Sequence, residues 1–92
     1  MLYRTNEEIS EDAALRFNFL FDKKKAEGLS DLDAAIELKC EVHREELRFN
    51  KKREAREISF EDFTDADRVL HTMAIWACDI IDIERGMVLS HA

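Results

Sequence analysis

Apolar residues in this chain recur every three or four positions, the period of helices, and nowhere alternate for long enough to suggest a sheet. Ile9, Ala13, Phe17, Leu20 and Phe21 form the first stripe. Thr5 and Glu8 precede it as a T-x-x-E capping box, in which each side chain satisfies a backbone N–H left open at a helix start. Lys23, Lys24 and Lys25 suit the negative end of the helix dipole, and Gly28 can take the left-handed turn that stops it. A first helix is expected over about 6–27. Leu15 and Phe19 lie off its stripe, so a second face of this helix needs cover.

A second stripe reads Leu32, Ala35, Ile36, Cys40, His43 and Leu47, behind a Ser30–Asp33 cap. The apolar pattern then fades into charge. A helix over about 31–57 is expected, with its charged end projecting beyond the core. Ile58 to Phe63 reads as a hydrophobic turn. A third helix is expected over about 65–85, from a cap at Thr64 to a stop at Gly86. Its seam is Val69, Met73, Trp76, Ile80, Ile83 and Met87, at alternating steps of four and three. A second seam, Leu70, Ala74, Ala77 and Ile81, lies beside it. The expected fold is a single all-α domain, a three-helix bundle with a long charged second helix.

Two glycines and no proline in 92 residues leave little material for the tight turns a small β domain needs, which supports long helices. The net charge of −7 argues against attraction to nucleic acid or to an anionic membrane. Cys40 and Cys78 are too few for a disulfide framework and read as reduced thiols packed in a cytoplasmic core. No apolar signal segment opens the sequence, and no uncharged apolar run approaches membrane-spanning length.

Geometry limits the catalytic and metal motifs. Cys40 and His43 share a helix face, but His71 and Cys78 lie roughly 10 Å apart along their helix. Both cannot reach one zinc together with the first pair, because the ligands must converge to about 2.0–2.3 Å from the metal. In size and helicity the chain resembles all-α nucleotide pyrophosphohydrolases. Their paired carboxylate motifs have their nearest matches in Glu54-x-x-Glu57 and Asp79-x-x-Asp82. That resemblance implies a metal-dependent enzyme as one alternative. No phosphate loop or nucleophile with an oxyanion donor is present, and no cofactor is implied.

A cationic stretch, Arg44, Arg48, Lys51, Lys52, Arg53 and Arg56 with Phe49 among them, is a candidate partner-binding surface and a second alternative, a nucleic-acid contact. Glu45, Glu46, Glu54 and Glu57 interleave with it and leave a surplus of two positive charges. The expected function is that of a non-enzymatic helical module that inhibits or links a partner protein. By analogy of size and charge alone, phage-encoded inhibitors fit that profile. It would self-associate, as a dimer first, through the seam Val69, Met73, Trp76, Ile80, Ile83 and Met87.

Overall fold

The computed structural model describes residues 3–86. It contains α1 (Asn6–Ala26), α2 (Asp31–Glu54) and α3 (Phe60–Glu84), packed as an all-α three-helix bundle. None of these helices is long and apolar enough to cross a membrane.

The caps set the boundaries. The Thr5 hydroxyl accepts from the Glu8 N–H and the Glu8 carboxylate accepts from the Thr5 N–H, both at 3.2 Å, which completes the box expected for α1. Ser30 starts α2 by accepting from the Asp33 N–H at 3.1 Å. Ser59 does the same for α3, accepting from Asp62 at 3.1 Å. The third helix therefore begins at Phe60 and not beyond Thr64. The segment expected as a hydrophobic turn is largely the first turn of α3. The Ser59-x-x-Asp62 spacing repeats that of Ser30-x-x-Asp33, but the Ile58/Phe60 alternation disguised it.

The earlier start of α3 also corrects the picture of α2. At 1.5 Å per residue the two helices are nearly equal, each roughly 36–38 Å long. The charged end of α2 does not project past its neighbour. Arg53 lies over the Phe63 ring at 4.8 Å, so a guanidinium closes the top of the hairpin.

α2 ends at Glu54 and not at 57, in a turn where Arg56 adopts φ 59 and the Glu57 N–H bonds the Lys52 carbonyl at 2.8 Å. Gly28 fills the equivalent place after α1, at φ 96. Arginine in this region strains its Cβ by about 1 kcal/mol, partly offset by the freedom glycine gains when unfolded. Arg56→Gly is therefore expected to stabilise the protein by a few tenths to about 1 kcal/mol, read as a higher urea midpoint. A lower midpoint would show that the Arg56 side chain contributes more than the strain removes.

Ile9, Ala13 and Phe17 of α1, Leu38 and Val42 of α2, and Val69, Met73 and Ala77 of α3 form the core. Phe17 stacks on Phe21 at 5.7 Å and meets the edge of Trp76 at 5.8 Å. α2 and α3 share the most extensive contact, whereas α1 touches α2 least. The radius of gyration is 14.4 Å, where a compact domain of this length reaches about 12 Å. The bundle is elongated and its third side is open.

The face of α2 differs from expectation. Its buried residues are Ala34, Ala35, Leu38 and Val42. Of the stripe read from sequence, Ala35 is buried and Leu32 and Ile36 are half-buried, whereas Cys40 and His43 are exposed and Leu47 is half exposed, so the stripe turns outward from Cys40 on. Cys40 is not a core thiol, and Cys78 is half-buried. A second stripe, Ala34, Leu38 and Val42, coexists with it on α2 and carried the weaker signal.

Candidate protein-docking site

α1 runs down from an arm anchored at the N-terminal end of α3. The Arg4 guanidinium grips both carboxylate oxygens of Asp65, at 2.6 and 2.5 Å, and donates to Asp12 at 2.8 Å. Arg68 of α3 donates to the Arg4 carbonyl at 2.6 Å and to the Asn6 side chain at 2.8 Å. Arg16 adds a bond to Asp12 at 2.7 Å. Hydrogen bonds from Arg16 and then Arg4 hold the Asp12 carboxyl below its ordinary pKa. Those to Asp65 and Asp12 push the Arg4 guanidinium higher still.

At the other end of α1, Lys24 is buried and its ammonium lies 2.5 Å from Glu41 and 3.6 Å from Glu37. Lys25 pairs with Asp31 at 2.5 Å. These pairs join the last turn of α1 to α2. The Glu41 hydrogen bond raises the Lys24 pKa, outweighing the burial that lowers it.

Between the two anchors α1 and α2 leave a cleft of about 730 Å³. Ala66, Val69, Leu70 and Met73 of α3 line it on one side. Asp12, Arg16, Phe19 and Leu20 line the α1 wall, and Glu41, Val42, Arg44, Glu45, Arg48 and Phe49 the α2 wall. Most acidic groups here already have partners. Asp12 and Asp65 accept from Arg4, Glu41 from Lys24, and Glu45 from Arg48 at 2.5 Å. Arg44 makes no ion pair among the described residues. Arg16 is largely exposed and uses only its Nε. The mouth therefore offers the Arg44 guanidinium and the free end of Arg16, with the Asp62 carboxylate at the α3 rim, beside an apolar interior.

Next to the cleft runs an exposed ridge of α1. Glu8, Glu11, Leu15, Phe19 and Asp22 share one helix face, and Leu15 and Phe19 are 75% and 70% exposed. No other large apolar side chains among the described residues are so open to water. Their position off the α1 stripe was the sequence signal for this face.

The expected seam of α3 is divided differently. Val69 and Met73 are 4% and 2% exposed and lie inside the monomer core. They form the floor of the cleft, packed against α1 and α2, and not an exposed seam on the outer face of α3. Trp76 and Ile80 are partly buried against that core, and Ile83 stays 58% exposed. Met87 lies outside the described residues. The second seam supplies Ala77 and Ile81 to the interior.

The cationic stretch of α2 is also divided. Arg44, Arg48 and Phe49 line the cleft. Arg48 and Lys52 flank the Phe49 ring at 5.4 and 5.5 Å, Arg53 covers Phe63, and Arg56 forms the turn. Lys51 remains exposed.

The residues of the metal and enzyme motifs are not assembled. Glu54 and Glu57 adjoin the start of α3, while Asp79 lies roughly 24 Å further along it than Phe63. Among the described residues no group of three or more His, Cys, Asp or Glu side chains could hold a metal ion. His43 and His71 are exposed on their separate helices. Compared with known protein families, curated proteins and solved structures, the chain matches none.

Proposed function

We propose that this chain is a protein-interaction module, an inhibitor or adaptor of a partner protein, and that the α1–α2 cleft is a docking surface that receives an amphipathic helix. The observation carrying this reading is the cleft itself: an apolar interior left open by a splayed helix, with spare guanidinium groups at its mouth. A helix presenting apolar side chains flanked by carboxylates would complete the bundle and pair those groups. Burial of two or three such side chains would supply about 1.5–3 kcal/mol each. Arg44 and the free end of Arg16 would select the acidic flank; of the expected cationic surface Arg44 keeps this role, since Arg48 is engaged by Glu45.

A photoreactive phenylalanine analogue in place of Phe19 tests this in cells that make the protein. Light should attach one defined protein, and Arg44→Glu with Arg48→Glu should prevent it. The same analogue at Ile75, half exposed on α3, serves as the comparison. No adduct from position 19, or the same adducts from both positions, would refute the docking role.

A further inference from the structure

We infer that the helix seated in the cleft is α1 of a second copy, so that the chain forms a two-fold symmetric dimer through its α1 ridge and cleft. This rests on the docking role proposed above and names the occupant.

Two observations carry it. The first is complementarity within one chain. The cleft requires an amphipathic helix with acidic flanks, and the exposed ridge of α1 is one: Leu15 and Phe19 stand between Glu11 and Asp22. Opposite it, the mouth offers Arg44, which makes no ion pair among the described residues, and the free end of Arg16. The second is adjacency. Phe19 belongs to the ridge and also lines the cleft, so knob and hole share one continuous patch. A two-fold contact needs such a self-complementary surface, since each chain must give and receive through the same residues. A partner that was merely basic would suit the overall charge of −7 but would meet like charge at these arginines.

The test uses the purified full chain in sedimentation equilibrium from low micromolar to near-millimolar concentration. Wild type should reach a dimer mass. Phe19→Glu should remain monomeric; Phe19 is exposed enough for the variant to fold, which its helical circular dichroism should confirm. Glu11→Arg and Arg44→Glu should each weaken the dimer by about tenfold or more, because each sets like charges across the contact twice. Mixing these two variants should restore association, since in the heterodimer both contacts become opposite-charge pairs. A wild-type monomer throughout, or a dimer that Phe19→Glu leaves intact, would overturn the inference. So would failure of the mixture to recover. A monomer with a specific adduct from position 19 would leave the docking role standing with a different occupant. Loss of both would remove the two together.

Discussion

Met73→Ala is expected to destabilise the protein by about 2–5 kcal/mol, the range for truncating a buried methionine or leucine in a packed core. Met73 is 2% exposed, among the largest fully buried side chains, and the cluster around it draws on all three helices. The loss combines the transfer energy of the missing atoms with the void left behind. A domain of this size has about 5–14 kcal/mol in total, so the variant should lose a large fraction of its stability. Its thermal midpoint should fall by about 10 °C or more. The comparison is Ile83→Ala. Ile83 is 58% exposed and should change stability by no more than about 0.5 kcal/mol. The sequence placed both residues on one associating seam, where both would have affected mass more than stability. Urea unfolding of the two variants separates the readings: a Met73→Ala loss no larger than that of Ile83→Ala would contradict the core assignment.

The pair joining α1 to α2 should show an asymmetry. Glu41→Ala leaves the buried Lys24 ammonium with Glu37, 3.6 Å away, and the more distant Glu27. A fully buried charge stripped of its partner costs about 3–5 kcal/mol; Glu41 is 37% exposed and Glu37 remains, so about 1–2 kcal/mol is expected. Lys24→Met removes the charge and keeps most of the volume, and should fall within about 1 kcal/mol of wild type. The folded-state pKa of Lys24 is raised, so its contribution is fully present below the unfolded value of about 10.4. It is lost only as the pH rises through the raised value. Both differences should therefore be constant between pH 6 and 8 by urea unfolding. Equal losses in the two variants would mean that the ion pair itself, and not an orphaned charge, is the stabilising element.

The caps at Thr5 and Ser30 and the stop at Gly28 were legible because each is a local rule about unpaired backbone groups. The cap at Ser59 obeyed the same rule, yet Ile58, Phe60 and Phe63 made its surroundings look like a turn. On α2 the difficulty was competition. Leu32, Ala35, Ile36, Cys40, His43 and Leu47 make a helical stripe as regular as Ala34, Leu38 and Val42, and only its first half is covered. Periodicity alone does not say which of two stripes faces the neighbours. Small residues such as Ala34 and Ala35 are wholly buried although they contribute little hydrophobicity. The surplus of apolar surface was readable from composition, but its place was not. It depends on how α1 is held, and the bonds from Arg4 to Asp65 and from Arg68 to Asn6 span more than sixty residues.

The candidate site was therefore visible only in fragments. Leu15 and Phe19 stood out because they lay off their stripe, and Arg44, Arg48 and Phe49 because they formed a charged stretch with an aromatic. Folding sets these fragments around one opening.

The most direct test of that relocation is methyl NMR of the full chain, recorded from low micromolar to near-millimolar concentration. The ridge-and-cleft account predicts concentration-dependent shifts at Leu15, Leu20 and Leu70, with Ile75, Ile83 and Leu47 unchanged. Shifts at Ile75 and Ile83 with none at Leu15 would return the interface to the outer face of α3 and contradict the account.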